Sequence, residues 1–146
     1  MANIVGSGVI SALIGRQILS QAISDASYTI YGSIGDIFYY SSRVDRVLLS
    51  LDVKQKIKTV ESVCKILEKK EKNNKLIIES LEGIHDMIIK IREDLKNINV
   101  KILKHKDKWF NKWRSIDVKT ELVNLKLHCN VLDKRYSLMT QSLKIV

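Results

Sequence analysis

The chain has 146 residues, a formal net charge of +9 at pH 7 and a hydrophobic fraction of 45%. This length suits one domain with its own core, and this hydrophobic fraction excludes a disordered chain. Two cysteines are too few for a disulfide framework, and no basic residue precedes the first apolar stretch as it would in a signal peptide. We therefore expect an intracellular protein that is not secreted.

Charge divides the chain into two regions. Residues 1–42 carry one basic and two acidic residues, whereas residues 43–146 carry 24 basic and 14 acidic ones. We interpret the first region as an apolar helical segment rich in small residues, and the second as a basic helical body with heptad patterning. Together they are expected to form a single helical domain over residues 1–146.

Small residues recur at helical spacing in the first region. Ser7, Ser11 and Gly15 are four residues apart, as are Ala22 and Ala26. On a helix they form a flat stripe that another backbone can approach closely, either in a protein core or in a membrane. The longest uncharged run has about 15 residues, fewer than the roughly 20 that a membrane span needs. We expect this stripe to pack on the body; the alternative is a helix lying at a membrane surface.

Local signals predict several helix boundaries. Gly32 and Gly35 predict a bend or a helix end, because each glycine weakens a helix interior by about 1 kcal/mol. The body begins near Arg43, and Asp52 followed by Gln55 is typical of a capping box that opens a helix. A polar run over residues 68–75 predicts a tight connection, and Ser115 or Asp117 is expected to cap the last helix.

Three apolar seams give the fold class. The second is the longest and keeps one heptad register from Ile77 to Trp109, within a helix predicted over residues 75–113 and about 55–60 Å long. The seams are as follows: Val53, Ile57, Val60, Cys64 and Leu67; Ile77, Leu81, Ile84, Ile88, Ile91, Leu95, Ile98, Ile102, His105 and Trp109; Val118, Leu122, Leu125, Cys129, Leu132, Tyr136, Met139 and Leu143.

These patterns predict an all-α fold. Short connections favour an antiparallel helical bundle of three long helices plus the apolar N-terminal helical segment, similar to a four-helix bundle. An extended intermolecular coiled coil is the alternative. It is less favoured because the connecting turns place the complementary seams within one chain.

Basic and aromatic residues are concentrated over residues 96–114, a stretch that contains seven basic residues and one acidic residue. Such a cluster could bind nucleic acid or an anionic membrane surface. The alternative is an ordinary solvated end of the bundle. The candidate contacts with an anionic surface are Lys101, Lys104, Lys108, Lys112, Trp113 and Arg114.

No catalytic or metal-binding pattern emerges from the sequence. The three histidines lack the partners that a zinc site needs, and Cys64 and Cys129 occupy predicted core positions. Glu93 and Asp94 are expected on the solvent side of their helix, where nothing would tune their pKa. We therefore expect a protein that is not an enzyme and that has no cofactor and no small-molecule substrate.

Four stretches of the sequence carry a resemblance to known proteins. They are NIVGSGVISALIGRQILSQAISDASYTIYGSI near the start, KIKTVES at 56–62, DKWFNKWR at 107–114 and HCNVLDKRYS at 128–137. The chain resembles small uncharacterised proteins of giant, mimivirus-like nucleocytoplasmic DNA viruses. The resemblance implies a viral protein made in the host cytoplasm and acting in the virion, in the viral factory or against the host. It transfers no functional residue.

These observations support three hypotheses for function. The first is a non-enzymatic interaction or structural protein that presents helix surfaces to a protein partner or to itself. The second is a membrane-active protein that uses residues 1–42, similar in architecture to HeLo-type helical domains. The third is nucleic-acid or anionic-surface binding through residues 96–114.

Overall fold

The computed structural model describes residues 4–69, 75–107 and 116–145, with side chains from residue 15 to residue 143 within those ranges. The described residues contain five helices and no strand, so the predicted all-α class is confirmed. The helices are α1 (Ile4–Tyr40), α2 (Ser42–Leu51), α3 (Val53–Glu68), α4 (Lys75–Lys106) and α5 (Lys119–Ile145).

The first region of the sequence forms one long helix. α1 has 37 residues and runs through Gly32 and Gly35 without a break, so a helix end at these glycines is wrong. Both glycines are exposed, whereas Ile30 and Ile37 are fully buried on the inner face of the same helix. Burial of each isoleucine contributes about 1.5–3 kcal/mol, which offsets the roughly 1 kcal/mol that each glycine costs.

Two single residues separate α1, α2 and α3. Ser41 ends α1 and caps α2, because its Oγ accepts a hydrogen bond from the Val44 N–H at 3.3 Å. Asp52 joins α2 to α3 in the left-handed conformation, with φ 54° and ψ 38°. Its backbone N–H donates to the Leu49 carbonyl at 3.1 Å and so closes the last turn of α2.

The predicted capping box at Asp52 and Gln55 is therefore wrong. Asp52 does precede the first residue of α3, but its side chain makes no capping hydrogen bond to that helix. An N-cap side chain reaches the next N–H groups from an extended backbone, and Asp52 instead holds the left-handed conformation that ends α2.

Side-chain contacts between helices give their relative directions. Ser20 Oγ donates to Glu68 at 2.9 Å and Ser24 Oγ to Glu61 at 3.2 Å, so α1 and α3 run antiparallel. Asn99 Nδ2 donates to the Ser33 carbonyl at 3.1 Å, which places the second half of α1 beside the later turns of α4. α4 also packs against α5.

The predicted seams supply the core. All five seam residues of α3 are buried, as is every α4 seam residue from Ile77 to Ile102. The α5 seam is buried or half-buried along its length, and His105 is half-buried. α4 ends at Lys106, so the helix predicted to reach residue 113 is shorter; Trp109 and Ser115 lie outside the described residues. Asp117 Oδ1 accepts the N–H of Lys119, the first residue of α5.

Candidate interaction surfaces

α5 exposes a face that the seam analysis did not single out. Val123, Leu127 and Leu138 are 60%, 56% and 63% exposed, although large apolar side chains are usually buried. At 100° per residue these three positions fall on the side of α5 that also carries its exposed lysines. We call this surface the outer face of α5, and its exposed residues are Lys119, Thr120, Val123, Lys126, Leu127, Asn130, Lys134, Ser137, Leu138 and Gln141. The exposed Asp133 borders this face and forms an ion pair with Lys56 of α3 at 2.9 Å.

A groove of about 390 Å³ adjoins the outer face of α5 at its first turns. Val47 and Leu51 of α2 form one wall, and Leu122 and Val123 of α5 form the other. A hydrogen bond of 2.5 Å from the Arg43 guanidinium to the Ile116 carbonyl joins α2 to the segment that precedes α5. The remaining charged lining consists of Lys119 and Lys126, with Asp117 as the single acidic residue. The groove is therefore lined by apolar and basic residues and by one acidic residue.

The end of α1 and the end of α4 form a second exposed area, the aromatic–basic end. Phe38 and Tyr39 are largely exposed, and the Tyr39 and Tyr40 rings meet edge to face at 4.9 Å. Lys106 Nζ lies 4.2 Å from the centre of the Tyr40 ring, a cation–π contact. A depression of about 500 Å³ is lined by both tyrosines, Lys106 and His105.

Two residues of the predicted anionic-surface cluster can be located. Lys101 forms an ion pair with Glu121 of α5 at 2.5 Å, so it also joins two helices of the fold. Lys104 is exposed. Lys108, Lys112, Trp113 and Arg114 lie outside the described residues. The fold adds Tyr39 and Tyr40 to this cluster, which sequence spacing could not indicate because they are more than 60 residues from Lys106.

The predicted small-residue stripe is only partly described. Ala26 is buried and Ala22 is half-buried, whereas the side chains of Ser7 and Ser11 lie outside the described part of the chain. Among described atoms, none lies within 4 Å of the point where a Cβ on Gly15 would stand. Close packing or membrane contact through this stripe therefore stays a prediction.

Polar contacts between α4 and α5 follow a heptad spacing that the seam analysis missed. Glu121, His128 and Arg135 are seven residues apart on α5, and each contacts a residue of α4. His128 Nδ1 lies 2.5 Å from Asp94, and Arg135 Nη1 donates to the Gly83 carbonyl at 2.6 Å. Residues later in α5 contact residues earlier in α4, so the two helices run antiparallel.

The prediction that Asp94 lies on the solvent side of its helix is wrong. Asp94 is only 7% exposed, because α4 packs against both α1 and α5 and needs a wider inner face than one heptad seam. Burial raises the pKa of Asp94, against the opposing effect of His128. The pKa of the exposed Asp86 is lowered, chiefly by the hydrogen bond from Arg135.

Among the described residues, no three His, Cys, Asp or Glu side chains come together in a way that could hold a metal ion. Cys64 and Cys129 are both buried free thiols, as the seams predict. Burial raises the pKa of Cys64 to about 12 and that of Cys129 to about 11. Both thiols are therefore protonated and act as small apolar groups near neutral pH.

Within the described ranges, no helix combines the length and the apolar character that crossing a membrane requires.

A comparison with curated proteins finds similarity to the uncharacterized protein L717 of Acanthamoeba polyphaga mimivirus. The two sequences are 25% identical over 157 aligned residues, which cover 88% of this chain and 73% of the mimivirus protein. No protein-family model matches the chain, and no solved structure matches it. The similarity suggests a viral origin and assigns no activity.

Proposed function

We propose that this chain is a non-enzymatic viral protein whose helices form an antiparallel bundle and that acts by binding a protein partner. The observation that carries this proposal is the outer face of α5, where Val123, Leu127 and Leu138 are each more than half exposed. Isolated apolar side chains are common on protein surfaces, but a row of them along one helix is typical of an interaction surface. The similarity to the mimivirus protein supports the part of the proposal that calls the chain viral.

Site-specific photo-crosslinking of the full chain in Acanthamoeba cells tests this proposal. A photo-reactive amino acid replaces Leu127 in one variant, Tyr39 in a second and the exposed Lys54 of α3 in a third. We expect discrete protein adducts from Leu127 or Tyr39 and only weak, heterogeneous adducts from Lys54. Equal labelling at all three positions, or no protein adduct at any of them, would contradict the proposal.

Binding to an anionic surface is a second candidate, and the aromatic–basic end favours it. Exposed aromatic rings and lysines together suit the boundary of a membrane or a nucleic acid, where the rings contact apolar groups or bases and the lysines contact phosphates. Phe38, Tyr39, Tyr40, Lys104 and Lys106 are among the exposed side chains at or near this end of the molecule.

Vesicle flotation and a DNA-binding assay test this second candidate. Point variants are preferable to removal of residues 1–42, because α1 contributes Ile23, Ile30 and Ile37 to the core. We expect binding to anionic vesicles or DNA that weakens when Lys104→Glu or Phe38→Ser is introduced and when salt rises from about 50 to about 500 mM. Binding that ignores both substitutions would contradict it.

A further inference from the structure

The outer face of α5 and the groove beside α2 form one continuous surface, because Lys119, Val123 and Lys126 belong to both. We propose that this surface binds an acidic amphipathic helix of a partner protein. The assignment rests on the proposed function and names the chemistry of the partner.

Charge selects an acidic partner. The outer face of α5 carries Lys119, Lys126 and Lys134. Of the acidic residues beside it, Asp133 forms an ion pair with Lys56 and Asp117 accepts the Lys119 backbone N–H. Two copies of the chain meeting face to face through this surface would bring the same lysines together, which opposes a symmetric dimer. A helix with glutamates or aspartates beside its apolar stripe would instead pair with these lysines.

Shape selects a helix. Val123 and Leu138 are fifteen residues apart on α5, which corresponds to about 22 Å along the helix axis. An elongated ligand of about four helical turns matches this length, and an amphipathic helix presents an apolar stripe along its whole length. At one end, a large apolar side chain of the partner fits the groove between Val47, Leu51 and Leu122.

A designed peptide serves as the probe in the binding experiment. It is a fluorescent helix of about 18 residues, with leucines at positions i, i+3, i+4 and i+7 and glutamates elsewhere. One control peptide keeps the leucines and replaces every glutamate with lysine. Fluorescence anisotropy with the full-length protein measures the affinity, and we expect the glutamate peptide to bind at least about tenfold more tightly than the lysine peptide.

Surface variants locate the bound peptide. We expect Leu127→Ser and Lys126→Glu each to weaken binding by about fivefold or more. Ile66→Ser is the matched control, because Ile66 is a similarly exposed apolar residue on α3, and it should leave the affinity unchanged. All three positions are exposed, so circular dichroism should show the same melting temperature for each variant within a few degrees.

Several outcomes would overturn the inference. They are the absence of glutamate-peptide binding, equal binding of the lysine peptide, or equal effects of Ile66→Ser and Leu127→Ser. Sedimentation of the protein alone to a dimer that Leu127→Ser abolishes would overturn it in favour of self-association. If the peptide fails while photo-adducts form at Leu127, the proposed function stands and only the acidic helix as its partner falls.

Discussion

The Asp94 carboxylate lies 2.5 Å from His128 Nδ1 and joins α4 to α5 at a buried position. Lys101 and Glu121 form an ion pair one heptad away on the same two helices. Pairs of an acidic and a basic side chain at heptad spacing fix both the direction and the register of α5 on α4. A shift by one helical turn would separate the members of every pair. A buried polar contact of this kind serves register more than stability.

Removing either member of the Asp94–His128 pair should destabilise the fold. We expect His128→Ala to lower the free energy of unfolding by about 1–3 kcal/mol, because the buried Asp94 then loses its partner. In a double-mutant cycle with Asp94→Ala, the coupling energy should be about 1–2 kcal/mol. Urea denaturation measures these values, with the exposed Asn130→Ala as the control. A coupling energy near zero would show that the two side chains do not interact.

The raised pKa of Asp94 should make the free energy of unfolding fall as the pH rises. The ordinary pKa is 3.8, and burial raises it in the folded chain. The folded state therefore binds the proton more tightly than the unfolded state, so this contribution to stability is present at low pH and is lost as the pH rises above 3.8 through the folded pKa.

Comparison with Asp94→Asn tests this sign, because asparagine keeps the size of the side chain and has no ionisable proton. The free energy of unfolding of the wild type minus that of Asp94→Asn should fall as the pH rises above the ordinary pKa of 3.8. Denaturation curves at closely spaced pH values measure the difference. A difference that rises with pH would mean that His128 lowers the pKa of Asp94 more than burial raises it.

The heptad pattern predicted one inner face of each helix, and that face is buried. Periodicity alone was enough to predict that the seam residues from Ile77 to Ile102 and from Val53 to Leu67 are buried. A repeat of 3.5 residues keeps one apolar stripe of a helix against its neighbours. The position of Asp94 could not be read in this way. α4 has neighbours on two sides, and the residues flanking its seam contact the second one.

The candidate surfaces depend on tertiary contacts that sequence spacing does not report. Tyr40 meets Lys106 only because α1 and α4 end near the same place. The outer face of α5 had a signal in the sequence, since Val123, Leu127 and Leu138 are apolar residues that fall outside the seam. Apolar residues on a second side of a helix indicate either another neighbour in the fold or an interaction surface, and exposure in the structure was needed to decide.

Both cysteine thiols should react slowly in the folded protein. Their pKa values of about 12 for Cys64 and about 11 for Cys129 leave little thiolate at pH 8, and both side chains are buried. We expect alkylation by iodoacetamide to be slower than in urea-unfolded protein by about 100-fold or more. Mass spectrometry counts the modified residues over time. Equal rates in the folded and unfolded protein would contradict the burial of these thiols.

A charge in the α4 seam should prevent folding. Ile91 is fully buried, so Ile91→Ala should cost about 2–5 kcal/mol. Ile91→Asp should cost more, because the carboxylate has no partner among the surrounding apolar residues. Circular dichroism should show loss of the cooperative thermal transition for Ile91→Asp, whereas the exposed Asn97→Asp on the same helix should melt like the wild type. A normal melt for Ile91→Asp would contradict the burial of this seam.

Alanine at the two α1 glycines should stabilise the protein. Gly32 and Gly35 are exposed in the interior of a continuous helix, neither has a positive φ, and no described atom lies within 4 Å of a Cβ added at either one. We expect Gly32→Ala and Gly35→Ala each to raise the free energy of unfolding by about 0.5–1 kcal/mol, because alanine restricts the unfolded chain and suits the helix. The exposed Ser62→Ala on α3 controls for adding an alanine elsewhere on a helix. Destabilisation by either glycine substitution would instead indicate the bend that the sequence predicted at this point of α1.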